Sequence, residues 1–259
     1  MKAMKRIVIL MAVMAAFMII RPAVAQNYGI VFGELEVTEA NANDIFGDGL
    51  ASYDVEQNRL VLQDGLEYHL SHGLVTINTG RALKMELKGS VLLYASIVVE
   101  DPLLTVEGEE GALLSIVSNI SGSALQCEDI EVMEGITLSL LSRNSQSDMY
   151  ALDCKTLTVN GSILEAEVTT AELAVATREM ILNECWLKKP RGGIVNEAWG
   201  GICYGDGAPA KIVNITTDGF GIDEIEEPAQ HVEKIFKDGQ ILIIKDGRRY
   251  DVTGREVRE

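Results

Sequence analysis

The sequence is poor in the side chains that carry most enzyme chemistry. Aromatics make up 5% of its 259 residues, and there are 3 histidines. No G-x-S-x-G elbow, P-loop or H-E-x-x-H pair occurs, which excludes the common nucleophile, phosphate and zinc motifs. His69 and His72 lie three apart, and on a strand that offset sends them to opposite faces, so they are not expected to share a metal. His231 has no evident partner in sequence. Cations are scarce too, with 22 Lys and Arg against 39 Asp and Glu. An exterior of that sign repels phosphate backbones, so nucleic acid is not an expected partner. The acids are scattered and form no Asp-rich calcium loop, and no metal or other cofactor is expected.

The chain does hold four short stretches that read as copies of one another: Leu104-Thr-Val106, Ile130-Glu-Val132, Leu157-Thr-Val159 and Met180-Ile-Leu182. Each spaces two apolar residues one position apart, as a half-buried strand requires, and they begin 26, 27 and 23 residues apart. Companion stretches accompany them. Leu114-Ser-Ile116, Leu138-Ser-Leu140 and Ala166-Glu-Val168 follow three of the copies, while Ser123-Ala-Leu125, Tyr150-Ala-Leu152 and Leu173-Ala-Val175 precede three. Each period then holds three extended pieces with corners between them, so one period winds once round a three-sided coil. Coils stacked about 4.8 Å apart let each strand bond to its counterpart above and below. An antiparallel sandwich also uses short, evenly spaced strands, but it does not demand that equivalent residues recur at one period. The expected fold is all-β: a right-handed parallel β-helix, or β-solenoid, with an N-terminal β-hairpin cap and a small C-terminal β unit.

The divisions follow from composition. Met1–Ala25 reads as a signal peptide: Lys2, Lys5 and Arg6 precede the uncharged run from Ile7 to Ile20, and Ala23-Val-Ala25 is a cleavage site. That run is too short to span a bilayer, so no transmembrane segment is expected once the leader is removed. The remaining chain carries 18 basic and 39 acidic residues, a net charge of −21. Residues 26–66 read as a β cap, with a hairpin around Gly33 and a turn at Asp54–Asn58; residues 67–217 are the solenoid with its closing segment. An acidic linker, 218–229, leads to a β tail, 230–259, with strands at Lys234–Lys237, Gln240–Lys245 and Arg248–Val252. All four cysteines follow the leader, in a setting that permits disulfides, and their spacings of 27, 31 and 18 match no zinc site. Cys127 and Cys154 are expected at equivalent places on adjacent coils, and Cys185 and Cys203 near the C-terminal end; three pairings are open.

Two segments carry a resemblance. Val37, Thr38, Asn41, Gly47, Asp48, Gly49, Ser52, Tyr53, Asp54, Asn58, Leu60 and Leu62 follow the opening pattern of a family of exported bacterial proteins often labelled carbohydrate-binding domain-containing. Pro190, Gly192, Gly193, Asp206, Gly207, Pro209, Ala210, Lys211, Val213 and Ile215 resemble that family's ending. The tail, through Gly239, Ile241, Ile243, Ile244, Gly247, Tyr250, Val252, Thr253, Gly254 and Val257, is similar to short C-terminal tails of exported Bacteroidetes proteins, which look like reduced sorting domains of the type IX secretion route. The resemblance implies an exported surface or extracellular β-solenoid module.

The function expected on these grounds is non-enzymatic binding or adhesion, to a glycan or a surface protein. The runner-up is a polysaccharide-cleaving parallel β-helix, which uses basic residues to stabilise a carbanion-like intermediate. Arg81, Lys84, Lys88, Arg143, Lys155 and Arg178 form no Arg-Lys cluster in the repeat region. A structural surface spacer is the third reading. For sugar stacking, Trp186, Trp199 and Tyr204 are the candidate residues, near the C-terminal edge, where the alternative is that they plug the end of the core. Tyr94 and Tyr150 are expected at coil corners.

Overall fold

The computed structural model describes residues 26–119, 122–143 and 149–217, together with the backbone of three strands between 233 and 250. The expected leader and linker lie outside the described residues. Residues up to Thr217 form one compact unit and the C-terminal stretch another.

The first unit is a β-solenoid of about 5 turns. Its first face stacks Arg59–Gln63, Leu83–Lys88, Leu104–Gly108, Asp129–Val132, Thr156–Asn160 and Glu179–Asn183, all parallel. The second face stacks the leading parts of Glu67–Ile77 and Ser90–Val99 with Leu113–Ser118, Thr137–Ser142 and Ile163–Val168. The third continues the trailing parts of those two long strands with Leu125–Gln126, Leu152–Asp153 and Val175–Ala176. The three extended pieces per period read from the sequence are these faces.

Because the pieces alternate, every second side chain points inward, and the register stacks like on like. One column runs Leu60, Met85, Val106, Val132, Val159, Leu182; another runs Val91, Leu114, Leu138, Leu164. Leu114, Leu138 and Leu164 are fully buried. One expected alignment is corrected. The counterpart of Leu138-Ser-Leu140 is Leu164-Glu-Ala166, not Ala166-Glu-Val168. The corner Asn160–Ser162 is one residue shorter than its equivalent in the coil before, Met133–Ile136, so the inward column resumes at Leu164. That corner also explains a glycine. Gly111, Gly135 and Gly161 take φ of 81°, 83° and 52°, and each donates its N–H to the carbonyl of the next coil, at 2.7, 3.1 and 2.7 Å. The fourth residue of this stack is Glu184, at φ 57°.

Both ends of the stack are treated differently from its middle. At the start, Asn27–Phe32 pairs antiparallel with Leu35–Thr38 and with Val75–Ile77, and Ala51–Asp54 pairs antiparallel with the first strand of the first face. At the far end, Ile212–Thr216 closes the second face and Gly201–Cys203 the third, both antiparallel. Trp186–Lys189 and Ile194–Asn196 add one further strand to each. In the second unit, Glu233–Lys237, Gln240–Lys245 and Arg248–Tyr250 form an antiparallel three-stranded sheet, as the alternation and Asp-Gly turns predict.

Leu138→Ala should lower unfolding free energy by about 2–5 kcal/mol, because neighbours in register on both sides cannot close the gap. Ser139→Ala, on the outward side of the same strand, should change it by less than about 0.5 kcal/mol. Urea titration of the two variants beside the parent measures the contrast.

Candidate functional site

Tyr53, Asn58, Thr79 and Asp101 form a buried polar knot where the cap meets the first coils. Asn58 ends the turn that the sequence predicts, and its φ of 51° is a left-handed value that asparagine tolerates. Its amide points inward rather than to water. The Asn58 Oδ1 accepts the Tyr53 hydroxyl, while Nδ2 donates to Thr79 Oγ1 at 2.8 Å and to the Ala82 carbonyl at 2.8 Å. Thr79 Oγ1 donates in turn to Asp101 Oδ2 at 2.9 Å, and the Gly80 N–H donates to Asp101 Oδ1 at 2.7 Å. Asp101 has no solvent exposure, so these bonds replace the water a carboxylate needs. Burial pushes the Tyr53 phenol above its ordinary pKa, and the nearby Arg81 pulls the other way.

The outer side of this knot is a cleft of about 500 Å³, lined chiefly by Asn27, Tyr28, Tyr53, Asn78, Thr79 and Arg81. Its geometry is fixed from several sides. The Tyr28 and Tyr53 ring centroids lie 5.5 Å apart at 47°. Arg81 Nη2 donates to the Val55 carbonyl at 2.8 Å, and Asn78 Nδ2 to Glu100 Oε2 at 2.7 Å. The Asn78 N–H donates to the Gly29 carbonyl at 2.7 Å, and a Cβ at Gly29 would stand 1.9 Å from the Asn78 carbonyl oxygen. Only glycine lets the first strand come so close. The volume falls within the range of small-ligand sites, and a lining of amides, hydroxyl, guanidinium and phenol rings suits a polar, hydroxylated ligand better than an apolar one.

The three aromatic residues singled out by the sequence lie at the other end and do not form one platform. Trp186 is half-buried at the start of its strand, opposite Thr216 on the second face. Trp199 and Tyr204 flank Gly201–Cys203 on the third face, each 46% exposed. The alternative, that the rings plug the core, is corrected for Trp199 and Tyr204: Ile202, Ala210, Val213 and Ile215, all fully buried, fill that end. Tyr94 sits where its long strand bends between faces, stacked on His69 at 4.2 Å. His69 Nε2 is 2.8 Å from Glu67 Oε1. The His72 side chain lies outside the described residues. No group of three or more metal-ligating side chains occurs among the described residues.

The four cysteines are buried free thiols. Cys127 and Cys154 follow paired strands in the same register, as expected for equivalent places on adjacent coils. Burial drives the Cys127 thiol far up, and pushes the Cys154 thiol to about 12 against the pull of the Thr177 hydroxyl. Cys185 Sγ donates to the Val159 carbonyl, and Cys203 packs with Leu173 and Ala176. These thiols serve as small apolar core residues.

Comparison with protein-family models, with curated proteins and with solved structures finds no match.

Asn58→Gly keeps the left-handed backbone but deletes the amide. It should cost about 1–3 kcal/mol by leaving Thr79 and the Arg81 and Ala82 carbonyls short of a donor, read as a drop in urea midpoint. The thiols set an alkaline limit. A thiol neutral in the fold but ionised in the unfolded chain stabilises fully below its unfolded pKa and loses that contribution as pH rises through the folded value. Stability should therefore fall as pH climbs from the ordinary thiol value, about 9, to about 12, and Cys154→Ala should flatten the fall.

Proposed function

We propose that this chain is an exported, non-enzymatic β-solenoid module that binds a glycan at its cap cleft, at a cell surface or outside the cell. The observation that carries this reading is the cleft itself: the half-buried Tyr28 ring, backed by the buried Tyr53, beside amide and guanidinium donors already held by hydrogen bonds. Sugars are recognised by rings that cover their C–H faces and by planar polar groups that read their hydroxyls. Donors fixed before binding lose little freedom on binding. The leader-like start of the sequence and the resemblance to exported carbohydrate-binding modules support the address. The acidic exterior supports a neutral ligand over a polyanion.

A glycan-array and polysaccharide-affinity screen of the mature chain tests the reading. Tyr28→Ala should weaken binding about tenfold or more without lowering the thermal midpoint enough to unfold the cap. A Trp199→Ala, Tyr204→Ala double variant should bind as the parent does. Silence across the screen, loss of binding only in the double variant, or release of shortened sugars would each contradict the proposal.

A further inference from the structure

Among the described residues, the last coil is closed on two faces and open on the third. Beyond the last complete coil the second face carries two more strands, Ile212–Thr216 and Trp186–Lys189, and the third carries Gly201–Cys203 and Ile194–Asn196. The first face gains only Glu179–Asn183 and ends there among the described residues. It stops one strand short of its neighbours, which leaves a slot about 4.8 Å high, the width of a single strand.

The slot has the chemistry of a strand acceptor. The Glu179 N–H donates back to the Lys155 carbonyl at 3.2 Å, and the Asn183 carbonyl accepts from the Gly161 N–H at 2.7 Å. Residues of odd number thus turn their backbone groups toward the preceding coil. By the alternation of a parallel ladder, Met180 and Leu182 point their N–H and C=O groups into the slot. Their side chains occupy the inward columns of Leu157 and Val159, which are fully buried, yet both are only half-buried, and Ile181 is 39% exposed. An edge with this pattern pairs readily with an added strand.

We infer that this slot takes one extended segment of another protein, with apolar side chains at alternate positions and Lys or Arg at one end. A single strand fits. The end of a second solenoid does not, since its own outer strands would meet Trp186–Lys189 and Ile194–Asn196. The basic end follows from the corner at which Glu179–Asn183 finishes. There Glu110, Glu134 and Glu184 line one groove of about 510 Å³ with Gly135, Gly161 and Thr217. The sequence that follows Thr217 holds Asp218, Asp223, Glu224, Glu226 and Glu227 and no Lys or Arg before Lys234, so like charge disfavours it as the occupant. Strand addition supplies affinity through main-chain bonds, and alternate side-chain pockets with the flanking charge supply selectivity.

The test uses the mature full-length chain and two synthetic peptides of alternating Ile and Thr, one ending in Lys-Lys and the other in Glu-Glu. Amide exchange at Met180 and Leu182 should be fast in the chain alone and slow with the Lys-ended peptide. The Glu-ended peptide should bind about tenfold more weakly. Leu182→Pro removes an N–H that points into the slot, not into the sheet, and should abolish protection. Glu184→Lys, which leaves the edge untouched and lowers the groove from three negative charges to a net one, should narrow the difference between the two peptides. Slow exchange at both amides before any peptide is added would overturn the proposal, a sizing column then telling a second copy from the chain's own residues. So would equal binding of the two peptides, or no protection by either.

Discussion

The structure depends on neighbouring coils staying in register. Each inward Leu, Ile or Val is covered by its counterpart in the coil before and the coil after, as in the column from Leu60 to Leu182. The same register lets every strand spend its backbone bonds on the next one. A stack of this kind stabilises its middle without special residues and leaves its two ends unsolved. At the first end an antiparallel cap covers the core, and at the other Ile202, Val213 and Ile215 are drawn over it by returning strands. The departures from repetition are concentrated at the ends, and it is there that the molecule offers shapes a ligand can distinguish.

The cap is attached by more than apolar contact. Asn58 bridges the cap turn to Thr79 and Ala82, and Asp101, one coil further on, anchors Thr79 and Gly80. A fully buried carboxylate costs too much to leave unpaired, so this knot specifies one seating of the cap on the solenoid. The cleft outside it inherits that rigidity. Tyr53 belongs to both, with its hydroxyl in the knot and its ring beside Tyr28.

Much of the fold was legible in the sequence because the repeat is local and its parity is two. Leu104-Thr-Val106 and its copies announce inward and outward sides without any knowledge of the partner strand. Register was harder: the slip at Leu164 came from a corner shortened at Asn160–Ser162, and corner length has no periodic signature. The cleft was not legible. Tyr28, Tyr53 and Arg81 lie far apart along the chain, and only the antiparallel cap brings them together. Asn58 read as an ordinary turn residue, which usually faces water, and nothing near it in sequence marks it as buried. The reading of Trp199 as a core plug fails for the opposite reason. Large rings near a chain end suggest a plug, but the closing strands fill that end of the core with Ile202, Ala210, Val213 and Ile215, and Trp199 is left outside.

A ligand held by the cap cleft, and not by the coil faces or the closing strands, would leave a local mark on the backbone. Amide exchange across the whole mature chain, with and without a saturating oligosaccharide that it retains, tests this placement most directly. Slowed exchange should be confined to Asn27–Gly29 and Asn78–Arg81. Slowing along the outer coil faces, or around Trp199–Tyr204, would contradict it.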